Sequence, residues 1–287
     1  MTVTAVRASA LASTRADLTS FLQSREGRVV LVPTMGALHD GHASLIRHAR
    51  TLAGSGTVVV SIFVNPLQFA AGEDLDRYPR TLDADLEVCA EAGADVVFAP
   101  SVDEVYPGGE PQVTLDAGGL GTVLEGEVRP THFRGVLTVV AKLFGLVQPS
   151  AAVFGEKDYQ QLVLIQQMAR DLCMPVEVIG APTIREDGGL ALSSRNRYLN
   201  EDQRSASLVI NRALAAACAQ ASGGLEAARG AALEVLAQQP DIVVDYLEFR
   251  SADLTDPLPG VPGRVLIAAR VGSTRLIDNA PIVLTSV

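Results

Sequence analysis

The sequence predicts an α/β fold, a doubly wound parallel sheet followed by a smaller α+β domain, and three observations carry that expectation. Short β-branched runs alternate with longer stretches of helical periodicity from Arg28 to about Ile179, the pattern of consecutive βαβ units. The run Thr57-Val-Val-Val-Ser-Ile-Phe-Val64 is apolar on both parities, as a strand covered on both faces must be. From about Thr183 the character changes to an alanine-rich helical stretch and then three strand candidates with short connections. A domain over residues 1–182 is therefore expected before a C-terminal α+β domain over residues 183–287.

In chain order, Arg28–Val32 reads as the first strand, and Gly41–Leu52 as a helix whose apolar residues fall at Leu45, Ile46, Ala49 and Leu52. After the Thr57–Val64 strand come a helix over Thr81–Ala92 and a strand over Ala94–Ala99. A less regular stretch leads to a helix over Gly135–Val147, a strand over Ala151–Phe154, a helix over Asp158–Leu172 and a strand over Val176–Ile179. Pro33, Pro66 and Pro100 follow three of these strands, and since proline cannot extend a central ladder they mark where the chain should leave the sheet. In the second domain Asn200-Glu-Asp-Gln203 suits a helix start, with an amide cap and Gln three residues on. The helical stretch runs to Gln239 with Gly223-Gly224 as a break, before strands over Ile242–Phe249, Arg264–Val271 and Arg275–Asp278.

Composition narrows the function. With 287 residues, 48% of them hydrophobic, the chain supplies a large core, and a chain near ~300 residues buries roughly 75% of its unfolded surface. A net charge of −10 without a Lys/Arg cluster repels phosphate backbones and anionic membranes, so neither nucleic acid nor membrane is an expected partner. Cys89, Cys173 and Cys218 are odd in number and lack metal or disulfide spacing, which suggests a reducing compartment. Met1–Arg15 has no apolar core of a signal peptide and no stretch of about 20 apolar residues occurs, so a cytoplasmic location is expected.

Four clusters carry chemistry. In Pro33-Thr-Met-Gly-Ala-Leu-His39-Asp-Gly-His42, between a strand and a helix, both imidazoles lie at a helix N-terminus, where unpaired N–H groups and the macrodipole favour anions. They suit the binding of a phosphate and the stabilisation of charge developing on it, and the alternative is an ordinary capped helix with a satisfied histidine. Ser193-Ser-Arg195-Asn-Arg197, preceded by Gly188-Gly189, offers hydroxyls and a guanidinium suited to a mobile loop over polyphosphate, or a merely solvated loop. Phe154-Gly-Glu-Lys157-Asp158 ends a strand in glycine and places a lysine near another helix start, where it serves a phosphate or simply the surface. Phe63-Val-Asn65-Pro-Leu-Gln68-Phe sits at a strand's carboxyl end, and the Gln68 amide, which donates and accepts, suits a hydroxy acid better than a phosphate; Gln161 could face the same crevice.

Together these motifs resemble the pantoate–β-alanine ligase family, within the nucleotidyltransferase superfamily marked by H-x-G-H or H-x-x-H and a later K-M-S-K-S-like loop. The resemblance runs from about residue 28 to the end and includes Val244-Asp-Tyr-Leu-Glu248 and Arg275-Leu-Ile-Asp-Asn279. Four long motifs in order make it specific. It implies a Rossmann-like first domain that binds ATP and pantoate, ATP with Mg²⁺, pantoate and β-alanine as small-molecule partners, a pantoyl adenylate intermediate and a homodimer. It further implies that Met35, Gly36, Ala37, Leu38, His39, Asp40, Gly41 and His42 bind ATP, with His39 and His42 on its phosphates and His42 a proton donor. Gly155, Glu156, Lys157 and Asp158 hold the nucleotide, Ile184 contacts adenine through its backbone, and Leu192, Ser193, Ser194 and Arg195 close over the triphosphate. Gln68 and Gln161 hold pantoate, Gln68 also serves β-alanine, Asn65 lies close by, and Tyr78 and Arg129 assist. The acidic residues that place Mg²⁺ in relatives are incompletely matched near Thr81-Leu-Asp-Ala-Asp85; Asp85 is one possible ligand, and no protein ligand for the metal is assigned. A segment over Gln68–Tyr78 is expected to order over the site as a lid that excludes water.

Another adenylating enzyme of the superfamily is the nearest rival, an aminoacyl-tRNA synthetase is disfavoured by the acidic, short chain, and a non-catalytic nucleotide sensor has no need of groups specialised for a transition state.

Overall fold

A computed structural model describes residues 8–70 and 74–287. It divides into two compact units, one formed by Met1–Glu156 with Leu164–Pro182 and the other by Lys157–Val163 with Thr183–Val287.

The elements of the first part of the chain are β1 (Ala10–Ala12), α1 (Arg15–Gln23), β2 (Val29–Thr34), α2 (Asp40–Ala53), β3 (Thr57–Ile62), α3 (Leu82–Ala92), β4 (Val96–Phe98), α4 (Val102–Val105), α5 (Glu125–Val128), α6 (His132–Val147), β5 (Ala151–Gly155), α7 (Tyr159–Asp171) and β6 (Glu177–Ala181). The six strands form one parallel sheet in the order β1-β4-β3-β2-β5-β6. The order reverses between β2 and its neighbours, so β2 and β3 lie at the centre with their carboxyl ends on one side. Val30, Val32, Val58, Val60 and Val97 pack against Ile46 and Ala49 of α2 and Cys89 of α3. Leu31, Val59, Val96 and Phe98, of the opposite parity, are equally buried, which is why these strands read as continuous apolar runs.

The expectation that Pro33 ends its strand is corrected: it lies inside β2, paired with Ser61 of β3. Arg28 and Thr34 carbonyls bond to β3 whereas the Val29 carbonyl bonds toward Ser150, so Pro33, of the same parity as Val29, turns its missing N–H toward β5. Pairing with β5 has already ended at Leu31, and no ladder bond is lost. Pro66 instead opens a 3₁₀ turn over Pro66–Gln68. Helix α6 begins at His132, three residues before the expected Gly135, and its first turn already buries Phe133. Gly135 is there for a contact: a Cβ on it would stand 2.3 Å from the Leu67 carbonyl oxygen.

Four elements, β1, α1 and the one-turn helices α4 and α5, are absent from the sequence expectation. Ala-Leu-Ala carries no β-branched signal, whereas α1 has a legible one, the reciprocal Thr14/Asp17 capping box.

In the second unit α8 (Glu201–Ala219) and α9 (Leu225–Leu236) pack on an antiparallel sheet of β7 (Ile242–Ser251), β8 (Pro262–Val271) and β9 (Thr274–Val283), in the order β7-β8-β9. The Asn200 side chain accepts from Gln203 N–H at 2.8 Å and the Gln203 side chain accepts from Asn200 N–H at 3.1 Å, closing the capping box at the start of α8. The helices meet through Ala213, Ala217, Ala228 and Ala232, side chains small enough for close backbone approach. Strand β9 runs five residues beyond its expected end, since Asp278 and Asn279 break the apolar pattern yet are buried in the sheet.

Burial, with the Asp85 charge nearby, pushes the Cys89 thiol up to about 12, and Cys173 is exposed. A thiol-reactive dye at neutral pH is therefore expected to modify Cys173 promptly and Cys89 on the order of 1,000-fold more slowly, until denaturant is added. Prompt loss of a peptide-mapped Cys89 thiol in the native protein would contradict the packing of α3.

Candidate active site

The loop between β2 and α2 makes two left-handed steps, at Gly36 (φ 86°) and Ala37 (φ 52°). Glycine is required at the first because a Cβ would lie 3.1 Å from both the Asp85 carboxylate and the Ile62 side chain. What holds the second is Asp85 of α3, 2% exposed, whose Oδ2 accepts from Ala37 N–H at 3.0 Å and whose Oδ1 accepts from Leu38 N–H at 2.8 Å and from the Thr81 hydroxyl at 3.2 Å. The loop then enters α2 through a capping box made of two histidines. His39 Nδ1 accepts from Gly41 N–H at 3.1 Å, and His42 Nδ1 accepts from His39 N–H at 3.3 Å. Their rings lie 4.1 Å apart. Because each Nδ1 accepts, the proton of each neutral ring resides on Nε2. Capping by one nitrogen of each ring is thus compatible with a second role for the other.

Below this loop, at the end of β3, Asn65 and Gln68 are both buried. Gln68 Nε2 stands 2.9 Å from Met35 Sδ. The Gln68 carbonyl is gripped by Arg129 Nη2 at 3.2 Å and by His132 Nδ1 at 3.1 Å. His132 is a residue sequence reasoning passed over, for want of any motif around it. Tyr78 packs edge-on to Phe69 at 6.1 Å. Residues 71–73, in the middle of the expected lid, lie outside the described residues.

Gly155 closes β5 and Glu156 follows in the 3₁₀ turn that leads into α7. In the second unit a small pocket is lined by Lys157, Ser193, Arg195, Asn196, Arg275 and Asp278. Lys157 Nζ lies 3.6 Å from the Asp158 carboxylate. The Lys157 carbonyl accepts from Asn279 Nδ2 at 3.0 Å, so β9 fixes the backbone from which the lysine projects. Asp278, beside it, forks onto Arg185 at 2.6 and 3.0 Å. Ser193 Oγ accepts from Arg195 N–H at 3.3 Å, and among the described residues no hydrogen bond or ion pair engages the Arg195 guanidinium. The segment expected as a mobile loop is a 3₁₀ turn over Ser194–Tyr198 tied down by Asn196. Asn196, 3% exposed, donates to Glu186 Oε1 at 2.7 Å and to the Ala191 carbonyl at 3.0 Å, while Arg204 of α8 grips Glu186 and the Asn196 carbonyl. Leu192 N–H bonds to the Ile184 carbonyl at 2.9 Å, which engages that backbone group. Gln161 lies half-buried on α7, one residue past the buried Gln160.

The structure thus groups Met35–His42 with Gln68 in one unit and Lys157 with Ser193 and Arg195 in the other. The first offers imidazoles at a helix N-terminus and the second a guanidinium, a lysine and hydroxyls, each a set whose chemistry suits an anion. Asp85 does not fit a metal: its oxygens are spent on two N–H groups and a hydroxyl at 2% exposure. Among the described residues no group of three or more His, Cys, Asp or Glu is placed to hold one.

Comparison with known proteins returns one family and several of its members. The chain matches the family described as Pantoate-beta-alanine ligase over residues 7–281. A pantothenate synthetase of a Nocardioides species is 60% identical, over 96% of this chain and 85% of that protein. One from Saccharopolyspora erythraea is 54% identical, over 94% and 88%. The crystal structure of pantothenate synthetase from Thermus thermophilus superposes with a TM-score of 0.87 at 48% identity, covering 94% of this chain and 98% of that one. Pantoate-beta-alanine ligase from Francisella tularensis, complexed with beta-gamma ATP and beta-alanine, superposes with a TM-score of 0.79 at 34% identity, covering 95% and 97%.

Replacing Asp85 with asparagine, equal in size, sets an amide N–H against one of the two loop N–H groups. The urea midpoint should fall by an amount corresponding to about 1–3 kcal/mol while the circular dichroism of the folded protein stays unchanged. An unaltered midpoint would remove Asp85 from its place as anchor of the loop.

Proposed function

This chain belongs to the pantoate-beta-alanine ligase family, and from that premise we propose how its residues carry out the ATP-dependent joining of pantoate to β-alanine. The enzyme condenses (R)-pantoate with β-alanine to pantothenate, with AMP and pyrophosphate as the other products, a step toward coenzyme A. The pantoate carboxylate attacks the α-phosphorus of ATP, the bond to the β-phosphate oxygen breaks, and pyrophosphate leaves. The amine of β-alanine then attacks the acyl carbon of the pantoyl adenylate, the bond to the phosphate oxygen breaks, and AMP departs as the amine loses its proton. Both steps depend on positioning and on cations or N–H donors facing the charge that builds up on phosphate.

The observation that carries the assignment of residues is the histidine capping box. With Nδ1 of His39 and His42 committed to backbone N–H groups at 3.1 and 3.3 Å, the Nε2–H groups are the donors for ATP phosphate oxygens, and His42 is the proton donor to the departing group. Met35–His42 forms the nucleotide loop, with Gly41 admitting close approach. Gly155–Asp158 holds the nucleotide, Lys157 and Arg195 meet its phosphates, and Ser193 and Ser194 add hydroxyl donors from the turn behind Leu192. The Ile184 backbone meets adenine, and Gln68 and Gln161 hold pantoate, Gln68 serving β-alanine as well. The residue range 1–182 is the ATP- and pantoate-binding domain and 183–287 carries the Ser-Ser-Arg turn. Mg²⁺ enters with ATP, bound to its phosphates rather than to a carboxylate cage. We place the enzyme in the cytoplasm as a homodimer, in keeping with the family and with the lack, among the described residues, of any helix long and apolar enough to cross a membrane.

Purified protein given ATP and pantoate should release pyrophosphate, and AMP should accumulate catalytically only when β-alanine is added. His42→Ala should cut turnover by about 10²–10³-fold with the fold intact, the scale of one lost transition-state donor. AMP formation indifferent to β-alanine would remove the second step, and unchanged turnover in His42→Ala would make the loop a binding device only.

A further inference from the structure

One buried tyrosine outside every motif is tied to the substrate-binding amide through a single intermediary. Asn65, 1% exposed, has its full hydrogen-bonding capacity in use. Its Oδ1 accepts from Leu67 N–H at 3.3 Å and from the Tyr106 hydroxyl at 2.8 Å, and its Nδ2 donates to the Gly135 carbonyl at 3.1 Å and to Gln68 Oε1 at 3.2 Å. Two of these partners act in one direction only: a backbone carbonyl accepts and a backbone N–H donates. The main chain therefore identifies which end of the Asn65 amide is oxygen and which nitrogen, and the Tyr106 hydroxyl, at 2.8 Å against 3.3 Å for Leu67 N–H, is the closer of the two donors holding that oxygen in place.

The remaining polarities follow. Facing Oδ1, Tyr106 must donate. Its ring is 2% exposed, and burial pushes the phenol up from its ordinary range, so it keeps its proton. Facing Nδ2, Gln68 must present its carbonyl oxygen to Asn65, which turns its NH₂ the other way. There Nε2 meets Met35 Sδ at 2.9 Å, a weak acceptor that a substrate oxygen readily replaces. We propose that Tyr106 is a positioning residue which, by locking Asn65, holds Gln68 as a hydrogen-bond donor toward the oxygens of the acid substrate. A glutamine left to rotate would offer its carbonyl oxygen half the time, and that oxygen repels a carboxylate. Neither Tyr106 nor Asn65 needs to touch the acid for this to work. The lock also explains why α6 carries glycine at 135, where a Cβ would stand 2.6 Å from Gln68 N and push the turn away.

This inference rests on pantoate being the acid that Gln68 meets, and its test separates the two. Tyr106→Phe keeps the ring, its packing at 5.9 Å from Phe63 and its place under Lys142, and removes only the hydroxyl. In steady-state assays the KM for pantoate should rise about tenfold, the scale of one buried hydrogen bond, with the KM for ATP and kcat nearly unchanged. Gln68→Glu, which swaps the donor for an oxygen, should raise the pantoate KM further still. A Tyr106→Phe enzyme whose pantoate KM is unchanged, or whose KM values for ATP and pantoate rise together with a lowered melting temperature, overturns the proposal, as does a Gln68→Glu enzyme that keeps its affinity for pantoate. A second readout needs no turnover: the Gln68 side-chain amide protons, followed by ¹⁵N NMR, should be protected from exchange in the parent protein and lose protection in Tyr106→Phe. Should the parent protein fail to turn over pantoate while that loss is seen, the reading of the reaction falls and the lock stands. Equal protection in both proteins overturns the lock.

Discussion

The Asp85 carboxylate, buried on α3 and bonded to the N–H groups of Ala37 and Leu38, is the contact on which the histidine loop depends. Those two N–H groups belong to a loop that has just made two left-handed steps, one of them at an alanine. A non-glycine residue resists that conformation, and the loop has no ladder of its own to hold it. With the N–H groups anchored, the chain arrives at His39 in extended geometry (φ −139°, ψ 177°), the geometry a helix N-cap requires. The two imidazoles then cap α2, and their orientation follows from that commitment. A carboxylate remote in sequence thus decides which nitrogen of each histidine faces outward.

The same economy recurs at the other polar centres. Asn65 stands between the end of β3, the start of α6 and Tyr106, and each of its four hydrogen bonds is matched by a partner of fixed or forced polarity. In the second unit Asn196 bonds Glu186 and the Ala191 carbonyl, and Asn279 bonds the Lys157 carbonyl. At Asn65 and Asn279 the amide both donates and accepts, so one short side chain ties separate segments without burying a charge, whereas Asn196 uses its two donors. The cations and imidazoles assigned to substrate project from backbones held in this way, as positioning catalysis calls for.

Much of this was legible in the sequence. Both-parity apolar runs such as Thr57–Val64 mark central parallel strands because burial on two faces leaves no polar parity. The Asn200/Gln203 box and the Gly223-Gly224 break located α8 and α9 because caps act within four residues. Where the reading failed, the deciding contact was distant. Pro33 stays within β2 because β5 has already stopped pairing beside it, a fact about a neighbour more than a hundred residues along the chain. Strand β9 outruns its apolar pattern because Asp278 is paired with Arg185.

The sequence by itself determined the fold class and the family, since hydrophobic period, capping and motif order are local properties. Only the tertiary structure decided the direction of each polar group: that Asp85 is an anchor rather than a metal ligand, that both histidines spend Nδ1 on the helix, and that Gln68 turns its oxygen inward. Hydrogen-bond polarity is a property of pairs, and the partners here are separated by 48 residues from Asp85 to Ala37, 41 from Tyr106 to Asn65 and 70 from Gly135 to Asn65. No window along the chain contains both members, so the choice between donor and acceptor is made only when the fold brings them together.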